Sequence, residues 1–252
     1  MRLKDKVAIV TGGGAGIGKG VAQRFASEGA RVVVAEIDTV NGEATAKAIK
    51  SAGGEALFVR TDVSEEAEVE AMAAAALNRY GRIDILFNNA AVLLFQHEAR
   101  AHQLINEVWD RTMAVNVRGY WLCAKYVIPA MLKQGGGSII HVASPTGMFG
   151  FTRLTAYSTS KGAIIGLVRA MAADYAADHI RVNAIVPGTI DTPMNAVVLS
   201  DEEARKRLIA MAPAGRLGTP EDICDLAVFL ASDESDHCVG GIFTVDGGLT
   251  AV

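Results

Sequence analysis

Residues 7–18 read VAIVTGGGAGIG, and this stretch decides the fold. It joins a short apolar run, typical of a buried strand, to a glycine-rich loop that opens an amphipathic segment. Glycines let a ligand approach the backbone closely, and a helix that begins inside the loop offers free N–H groups and a positive dipole end to a pyrophosphate. A flexible turn is the alternative, but the flanking strand and helix favour a dinucleotide site. Its predicted backbone residues are Gly12, Gly14, Ala15, Gly16, Ile17 and Gly18.

The alternation that begins here continues along the chain. Short β-branched runs alternate with longer alanine-rich amphipathic segments, which is typical of a parallel sheet covered by helices on both faces. The predicted strands are 7–11, 31–36, 56–62, 83–88, 137–144, 180–186 and 241–245. The predicted helices are 16–28, 40–51, 65–80, 106–133, 156–177, 201–211 and 220–231. We therefore expect an α/β protein: a single-domain, doubly wound Rossmann fold over residues 1–252, with a seven-stranded parallel sheet and a small substrate lid at about 190–212.

Composition argues against several classes of protein. Hydrophobic residues make up 50% of the 252 residues, yet no run approaches the roughly 20 apolar residues of a membrane span. The apolar run at 7–10 is too short for a signal peptide, so we expect a cytoplasmic protein. A net charge of −4 with scattered basic residues predicts no nucleic-acid partner. The 3 cysteines and 5 histidines lack ligand spacing, so we expect no metal site.

The second predicted strand ends in a carboxylate, Glu36. A carboxylate there can accept hydrogen bonds from the adenosine ribose, whereas a 2′-phosphate would meet like charge. At effective dielectric constants between about 20 and 80, such a charge pair at about 4 Å costs roughly 1–4 kcal/mol. Neither Ala15 nor Ile37 supplies a compensating cation, so the sequence favours NAD over NADP. Asp38 is a competing candidate for the same role.

Tyr157 and Lys161 lie four residues apart in a predicted helix, downstream of Ser144. Positions i and i+4 share one helical face, so the lysine charge can act on the phenol. Bringing the tyrosine pKa from about 10 to about 7 takes roughly 4 kcal/mol. One charge at about 4 Å, at an effective dielectric constant of about 20, supplies roughly that amount. The pair therefore predicts a general acid/base near neutral pH, although a lysine reaching from a helix edge to solvent is the common alternative.

An ordered set of short motifs resembles that of the short-chain dehydrogenases/reductases of the compact, single-domain type. The motifs are Gly-x-x-x-Gly-x-Gly from Gly12, Asn88-Asn89-Ala90-Ala91, Asn116, Ser144, Tyr157-x-x-x-Lys161 and Pro187-Gly188. The resemblance covers essentially the whole chain. It implies that Tyr157 is the acid/base, that Lys161 lowers its pKa and holds the nicotinamide ribose, and that Ser144 binds the substrate oxygen. It also implies that Asn116 holds a water that relays protons to solvent.

The same resemblance implies further cofactor contacts. Asp62 and Val63 would meet the adenine. Asn89 and Ala90 would line the adenosine side, with Ala91 standing beside the nicotinamide where the family usually has glycine. The remaining contacts, with the nicotinamide and its carboxamide, would come from Pro187, Gly188, Ile190 and Thr192. A homotetramer built through helices 106–133 and 156–177 is also implied.

Taken together, these features predict reversible hydride transfer between NAD and a secondary alcohol or its ketone. Predicted substrate contacts are Leu94, Gln96, His97, Thr146 and Met194. Polar side chains at 96–100 favour a sugar or polyol, whereas the apolar ones at 93–95 suit a steroid or cyclic ketone. An enzyme resembling 3-oxoacyl carrier-protein reductases is the alternative, and a non-catalytic NAD(H)-binding regulator is the alternative from another class.

Overall fold

A parallel sheet forms the centre of the molecule, and a computed structural model describes residues 1–251. The strands are β1 (Val7–Thr11), β2 (Arg31–Glu36), β3 (Glu55–Arg60), β4 (Ile85–Asn88), β5 (Gly137–Val142), β6 (Ile180–Pro187) and β7 (Ile242–Val245). They lie in the order β3-β2-β1-β4-β5-β6-β7, and every neighbouring pair is parallel. The predicted fold class is confirmed.

Helices cover both faces of the sheet. They are α1 (Gly16–Ser27), α2 (Thr39–Ser51), α3 (Glu66–Tyr80), α4 (Asn106–Met113), α5 (Gly119–Gln134), α6 (Thr155–Tyr175), α7 (Ala196–Leu199), α8 (Glu202–Met211) and α9 (Pro220–Ala231). Alternate strand residues belong to two separate cores: Val33 lies in the core that α3, α5 and α6 cover, and Val34 lies in the core that α1, α2 and α9 cover. Burial on both faces explains why the strands read as continuous apolar runs.

Several predicted boundaries shift by one to two residues at strand ends. The third strand ends at Arg60 rather than at residue 62, and the fifth ends at Val142 rather than at 144. In both cases the chain leaves the ladder just before side chains that line a cavity, Asp62 and Ser144. Periodicity does not reveal where pairing stops, because a strand buried on both faces has no alternation whose end would mark its last residue.

The long helix predicted at 106–133 is interrupted. Between α4 and α5, residues Ala114–Arg118 form a π-helical turn, which is a wider turn often found at functional positions. Asn116 lies inside this turn and is completely buried. The segment at 190–212 also divides, into a 3₁₀ turn at Pro193–Asn195 followed by α7 and α8.

The sheet order reverses direction between β1 and β4, which places a crevice at the carboxyl ends of these two strands. The loop after β1 contains the glycines, and the segment after β4 begins with Asn89. The pairing of β1 with β4 therefore brings both segments to one point, although 78 residues of chain separate Thr11 from Asn89. Within residues 1–251, no helix is long and apolar enough to span a bilayer.

Candidate active site

A cavity of about 510 Å³ opens at the carboxyl edge of the sheet. It runs from the glycine loop at Gly12 past Asp62 to Tyr157 and ends under α7 and α8. Ligand sites in open α/β sheets occur at this edge, and the volume falls within the usual range for small-molecule sites. Most of the predicted cofactor residues line the cavity: Gly12, Ala15, Gly16, Ile17, Glu36, Asp62, Val63, Asn89, Ala90, Ala91, Tyr157, Lys161, Pro187, Gly188, Ile190 and Thr192.

The glycine loop is shaped for close approach. Gly12 has φ +63°, and a Cβ on it would lie 2.9 Å from Asn89 Nδ2 and 3.0 Å from Ala90 Cα. Asn89 Nδ2 donates to the carbonyls of Thr11 (3.1 Å) and Gly12 (3.3 Å), which fixes the loop against the end of β4. The residues present therefore fit a dinucleotide, whose pyrophosphate needs bare backbone at the start of α1.

Two residues predicted as cofactor contacts, Gly14 and Gly18, do not line the cavity. A Cβ on Gly18 would collide with the Gly12 carbonyl oxygen, so this glycine permits α1 to pack against the loop. Gly14 is packed against the Glu36 side chain, to which its N–H donates at 3.0 Å. Both glycines lie on the side of the loop away from the cavity. They allow tight packing there, because a glycine has no side chain.

Glu36 lines the cavity and has a second task in the loop. One carboxylate oxygen accepts from the Gly14 N–H, and the other accepts from the N–H groups of Ile37 (2.9 Å) and Asp38 (3.1 Å). Asp38 itself caps α2 by accepting from the Asn41 N–H at 3.2 Å, and it does not line the cavity. Of the two competing carboxylates, Glu36 is therefore the one placed to meet an adenosine ribose.

Arg111 is a cavity residue that the sequence reading missed. It donates to Ser64 Oγ at 2.8 Å and to Asp62 Oδ2 at 3.3 Å, so it holds the residues after β3 in place. Burial acts to raise the pKa of Asp62, but the hydrogen bonds from Ser64, followed by the charge of Arg111, leave that pKa lowered. Arg111 lies one helical turn before Val115, which also lines the cavity. Residues four positions apart share one face of a helix, so this spacing could have identified Arg111 from the sequence.

Tyr157, Ser144 and Lys161 meet at the inner end of the cavity. All three are buried, and Lys161 is only 1% exposed. Lys161 Nζ donates to the Val142 carbonyl at 2.8 Å and lies 5.6 Å from the centre of the Tyr157 ring. Ser144 Oγ accepts from Thr146 Oγ1 at 3.0 Å. The phenol, the ammonium and the hydroxyl thus share one small volume, as their spacing predicted.

The acidities in this volume differ from the expectation that Lys161 alone brings Tyr157 near neutrality. Burial raises the pKa of Tyr157 to about 12, and the nearby Ser144 hydroxyl offsets only part of that rise. Burial also lowers the pKa of Lys161 to about 7. Burial is the largest cause of both shifts, because taking a charge out of water disfavours the phenolate and the ammonium alike. That Tyr157 acts as a general acid/base near neutral pH stays a prediction.

Asn116 supports the site from outside the cavity. Its Oδ1 accepts from the Val92 N–H at 2.8 Å, while its Nδ2 donates to the Val92 carbonyl at 3.0 Å and to Ser160 Oγ at 3.1 Å. Ser160 Oγ in turn donates to the Tyr157 carbonyl at 2.7 Å. Because both amide hydrogens are used, this side chain has no donor left for a water. The expectation that Asn116 holds a relay water finds no support in its side chain, which instead joins the segment after β4 to α6.

The outer end of the cavity is mainly apolar. Its walls come from Leu93, Phe95, Phe151, Leu154, Met194, Val198, Leu208 and Leu249. The polar lining there is limited to the short side chains Thr146, Thr152, Thr189 and Asn195, and Asn195 already donates to the Ile190 carbonyl at 2.8 Å. Charged lining residues in the part of the chain that the structure describes are Glu36, Asp62, Arg111 and Lys161, and none of them stands in these outer walls.

The five predicted substrate contacts lie in two different places. Thr146 and Met194 line the cavity, whereas Leu94, Gln96 and His97 do not. Residues Phe95–His97 form a 3₁₀ turn, so neighbouring side chains point in different directions, and Gln96 and His97 are exposed. A turn cannot be resolved by apolar and polar alternation, because its side-chain directions follow no period of 2 or 3.6.

Comparisons with known proteins agree with this geometry. A protein-family model described as enoyl-(acyl carrier protein) reductase matches residues 12–250. The uncharacterized oxidoreductase YxbG of Bacillus subtilis is 42% identical over 256 residues, covering 99% of this chain and 93% of that protein. The cis-4-hydroxycyclohexanecarboxylate dehydrogenase of Sinomonas cyclohexanicum is 38% identical, covering 98% of both.

Solved structures have the same fold. One is a Beutenbergia cavernae protein provisionally named an NAD(P)-dependent gluconate 5-dehydrogenase, with NADP bound at low occupancy. It superposes with a TM-score of 0.94 at 35% identity, covering 99% of this chain and 98% of that chain.

Proposed function

The chain is an oxidoreductase of the short-chain dehydrogenase/reductase family, and we propose that it transfers hydride reversibly between NAD and a secondary alcohol or ketone on a compact apolar skeleton. The observation that carries the proposal is one continuous cavity with a dinucleotide loop at one end and Tyr157, Lys161 and Ser144 at the other. Apolar walls beyond Tyr157 support the skeleton.

The proposed chemistry divides between cofactor and protein. When bound, an oxidised nicotinamide accepts the hydride and brings a positive charge beside the phenol. Tyr157 exchanges the proton at the substrate oxygen. Lys161 has one N–H bond to Val142 and two N–H groups left, and its charge favours the phenolate.

Ser144 is oriented by its neighbour. Thr146 Oγ1 and the Thr146 N–H both donate to Ser144 Oγ, at 3.0 and 3.3 Å. A hydroxyl that already accepts two hydrogen bonds presents its own hydrogen outward as a donor. We propose that this hydrogen is directed to the substrate oxygen, which would stabilise charge that develops there. Thr146, predicted as a substrate contact, would thus act through Ser144.

The proposal of NAD rests on Glu36. Its carboxylate is held by backbone N–H groups at the end of β2, and the neighbouring lining residues Ile37 and Ala15 are neutral. The nearest cation of the lining on that side, Arg111, is already paired with Asp62. A relative with bound NADP shows that the fold accepts the phosphorylated cofactor elsewhere, so the carboxylate of this chain carries the argument.

The apolar walls change the favoured substrate class. A sugar or polyol presents a hydroxyl on nearly every carbon, and each would need a partner on burial. The outer walls offer few polar groups, and the polar side chains of Gln96 and His97 lie elsewhere. A ring alcohol or ketone with one reacting oxygen suits these walls better, and the name of the cyclohexanecarboxylate dehydrogenase relative supports this class.

A substrate panel tests the proposal. Purified protein would be assayed with cyclohexanol-type alcohols and the matching ketones, with linear secondary alcohols and with polyols, following nicotinamide absorbance with both cofactors. We expect the highest kcat/KM for cyclic apolar substrates with NAD. Faster turnover of polyols than of any cyclic alcohol would refute the substrate class.

A 3-oxoacyl thioester in the panel tests the rival reaction. The apolar walls and the family model named for an acyl carrier-protein reductase favour including it. Efficient reduction of that thioester with NADPH, and none of cyclic ketones, would replace the proposal.

We also propose a homotetramer. Trp109 and Trp121 are 36% and 44% exposed on α4 and α5, and large apolar side chains at a surface often mark an interface between subunits. Light scattering of the purified protein gives the mass directly, and a monomeric mass would refute this assembly.

A further inference from the structure

The catalytic helix α6 lacks a cap of its own. Its N-cap residue is Leu154, whose side chain can accept no hydrogen bond, and the helix begins at Thr155. The first N–H groups of any α-helix have no partner inside the helix. Tyr157 is the third residue of α6, so its own backbone N–H is one of these groups.

Glu98 supplies the missing acceptor from a distant part of the chain. Its Oε1 accepts from the Tyr157 N–H at 2.7 Å, and its Oε2 accepts from the Ala156 N–H at 3.1 Å. Glu98 is 8% exposed, so these charge-assisted bonds are shielded from water. One further bond joins the same two segments, since Thr155 Oγ1 donates to the Ala99 carbonyl at 2.8 Å.

The segment that holds Glu98 also forms part of the cavity wall. The N–H groups of His97 and Glu98 both donate to the Leu94 carbonyl, at 2.8 and 3.0 Å, which closes a tight turn. Phe95 lies in this turn and lines the outer end of the cavity. One turn therefore holds both Phe95, which lines the cavity, and Glu98, which caps the catalytic helix three residues later.

We infer that Glu98 is a positioning residue for Tyr157: its carboxylate holds the first turn of α6, and hence the phenol, in register with the substrate wall at Phe95. The inference rests on the proposed function of Tyr157. The polar side chains at 96–100, Glu98 among them, predict contacts with a polar substrate, and a solvent-exposed loop is the alternative. The structure gives Glu98 neither place, because its carboxylate is buried at a helix N-terminus, where negative charge is favoured.

Replacement of Glu98 by glutamine provides the test. The side chain keeps its size, but one of its two acceptor oxygens becomes an NH₂ group that faces a backbone N–H. Because small displacements of a reacting group cost large factors in rate, we expect kcat to fall about tenfold or more. The dissociation constant of NAD should stay within about twofold, since the residues that hold the adenosine and pyrophosphate are untouched. Rates are expressed per NAD-binding site, which removes any inactive fraction.

Two further variants separate positioning from general destabilisation. Glu107→Gln makes the same chemical change at an exposed residue of α4 and should match the wild type in every measurement. Glu98→Asp keeps the charge with a shorter reach and should recover part of the lost kcat. If Glu98→Gln fails to fold, the Glu98→Asp variant and the wild type carry the comparison. Wild-type kcat in Glu98→Gln would overturn the inference, as would a loss that Glu98→Asp shares fully.

A measurement without substrate distinguishes this inference from the proposed function. Hydrogen exchange of the peptide covering residues 154–160 should speed up at least tenfold in Glu98→Gln and remain unchanged in Glu107→Gln, since loss of the acceptors exposes the first-turn amides. Exchange that does not change would refute the cap even in an active enzyme. If the wild type turned over no alcohol or ketone while exchange responded as expected, the cap would stand and the proposed function would fall.

Discussion

Replacing Glu36 by glutamine should relax the choice between NAD and NADP. Glutamine keeps the length of the side chain and one carbonyl oxygen, which can still accept from Gly14 or Ile37. The substitution removes the negative charge that would oppose a 2′-phosphate. The variant therefore separates charge from shape at the end of β2.

The size of the effect follows from distance and screening. Two charges about 4 Å apart interact by roughly 1 kcal/mol in water and roughly 4 kcal/mol at an effective dielectric constant of about 20. Glu36 is half-buried at the mouth of the cavity, so we use the lower part of this range, about 1–2 kcal/mol. At about 1.4 kcal/mol per factor of ten, the ratio of kcat/KM for NAD to that for NADP should fall about five- to thirtyfold.

The assay is a pair of initial-rate series with the two cofactors and one alcohol from the panel. NAD itself should bind more weakly in the variant, because at least one of the three backbone N–H bonds of the carboxylate is lost. Asp38→Asn is the matched control, since Asp38 caps α2 and does not line the cavity. The control should keep the wild-type cofactor ratio. A ratio that stays unchanged in Glu36→Gln, or that moves equally in Asp38→Asn, would refute the electrostatic argument.

Three further predictions concern the acid/base, a buried histidine and the glycine loop. Tyr157→Phe should lower kcat by about 10²–10⁴ while NAD titration remains normal, and retained turnover would show that another group moves the proton. Burial, aided by the charge of Lys161, lowers the pKa of His141 to about 3, so below pH 6.5 the unfolded chain binds a proton that the folded chain does not. Stability should therefore fall by about 2 kcal/mol between pH 7 and pH 5 through this group, and denaturant unfolding of His141→Phe should lack that part of the loss. Gly18→Ala should weaken NAD binding and cost about 1–3 kcal/mol of stability, because its Cβ would collide with the loop backbone. The control Gly166→Ala, where a Cβ meets nothing within 4 Å, should unfold no more easily than the wild type.

The buried side chains of Tyr157 and Lys161 differ in acidity from free side chains. Burial moves the pKa of Tyr157 to about 12, so the phenol is neutral near pH 7, and it moves the pKa of Lys161 to about 7, so the charged and neutral amine are about equally populated there. The tyrosine pKa expected from the sequence included the attraction of the lysine charge but not the cost of removing the phenolate from water. Only the acidities of the two groups differ from the expectation. Both side chains lie on one face of α6, as their spacing predicted.

Much of the fold could be read from local patterns. The order of strands and helices along the chain and the glycine loop depend on residues close together in sequence, and so does the shared face of Tyr157 and Lys161. Periodicity and turn chemistry act over a few residues, and parallel connections are short and right-handed, so these features are nearly determined once the pattern is known. The family motifs also predicted that residues far apart in sequence, such as Ser144 and Tyr157, lie in one site.

Tertiary structure alone decided how distant segments meet. Glu98 lies in a loop whose polar side chains predicted substrate contacts, yet it caps α6 across 59 residues of chain. The Asn116 side chain forms its hydrogen bonds with Val92 and Ser160. The apolar outer walls of the cavity come from several segments that are far apart in sequence. Such contacts depend on the packed distance between elements, to which sequence separation is no guide. A buried polar group takes whichever partner that packing brings within hydrogen-bond reach.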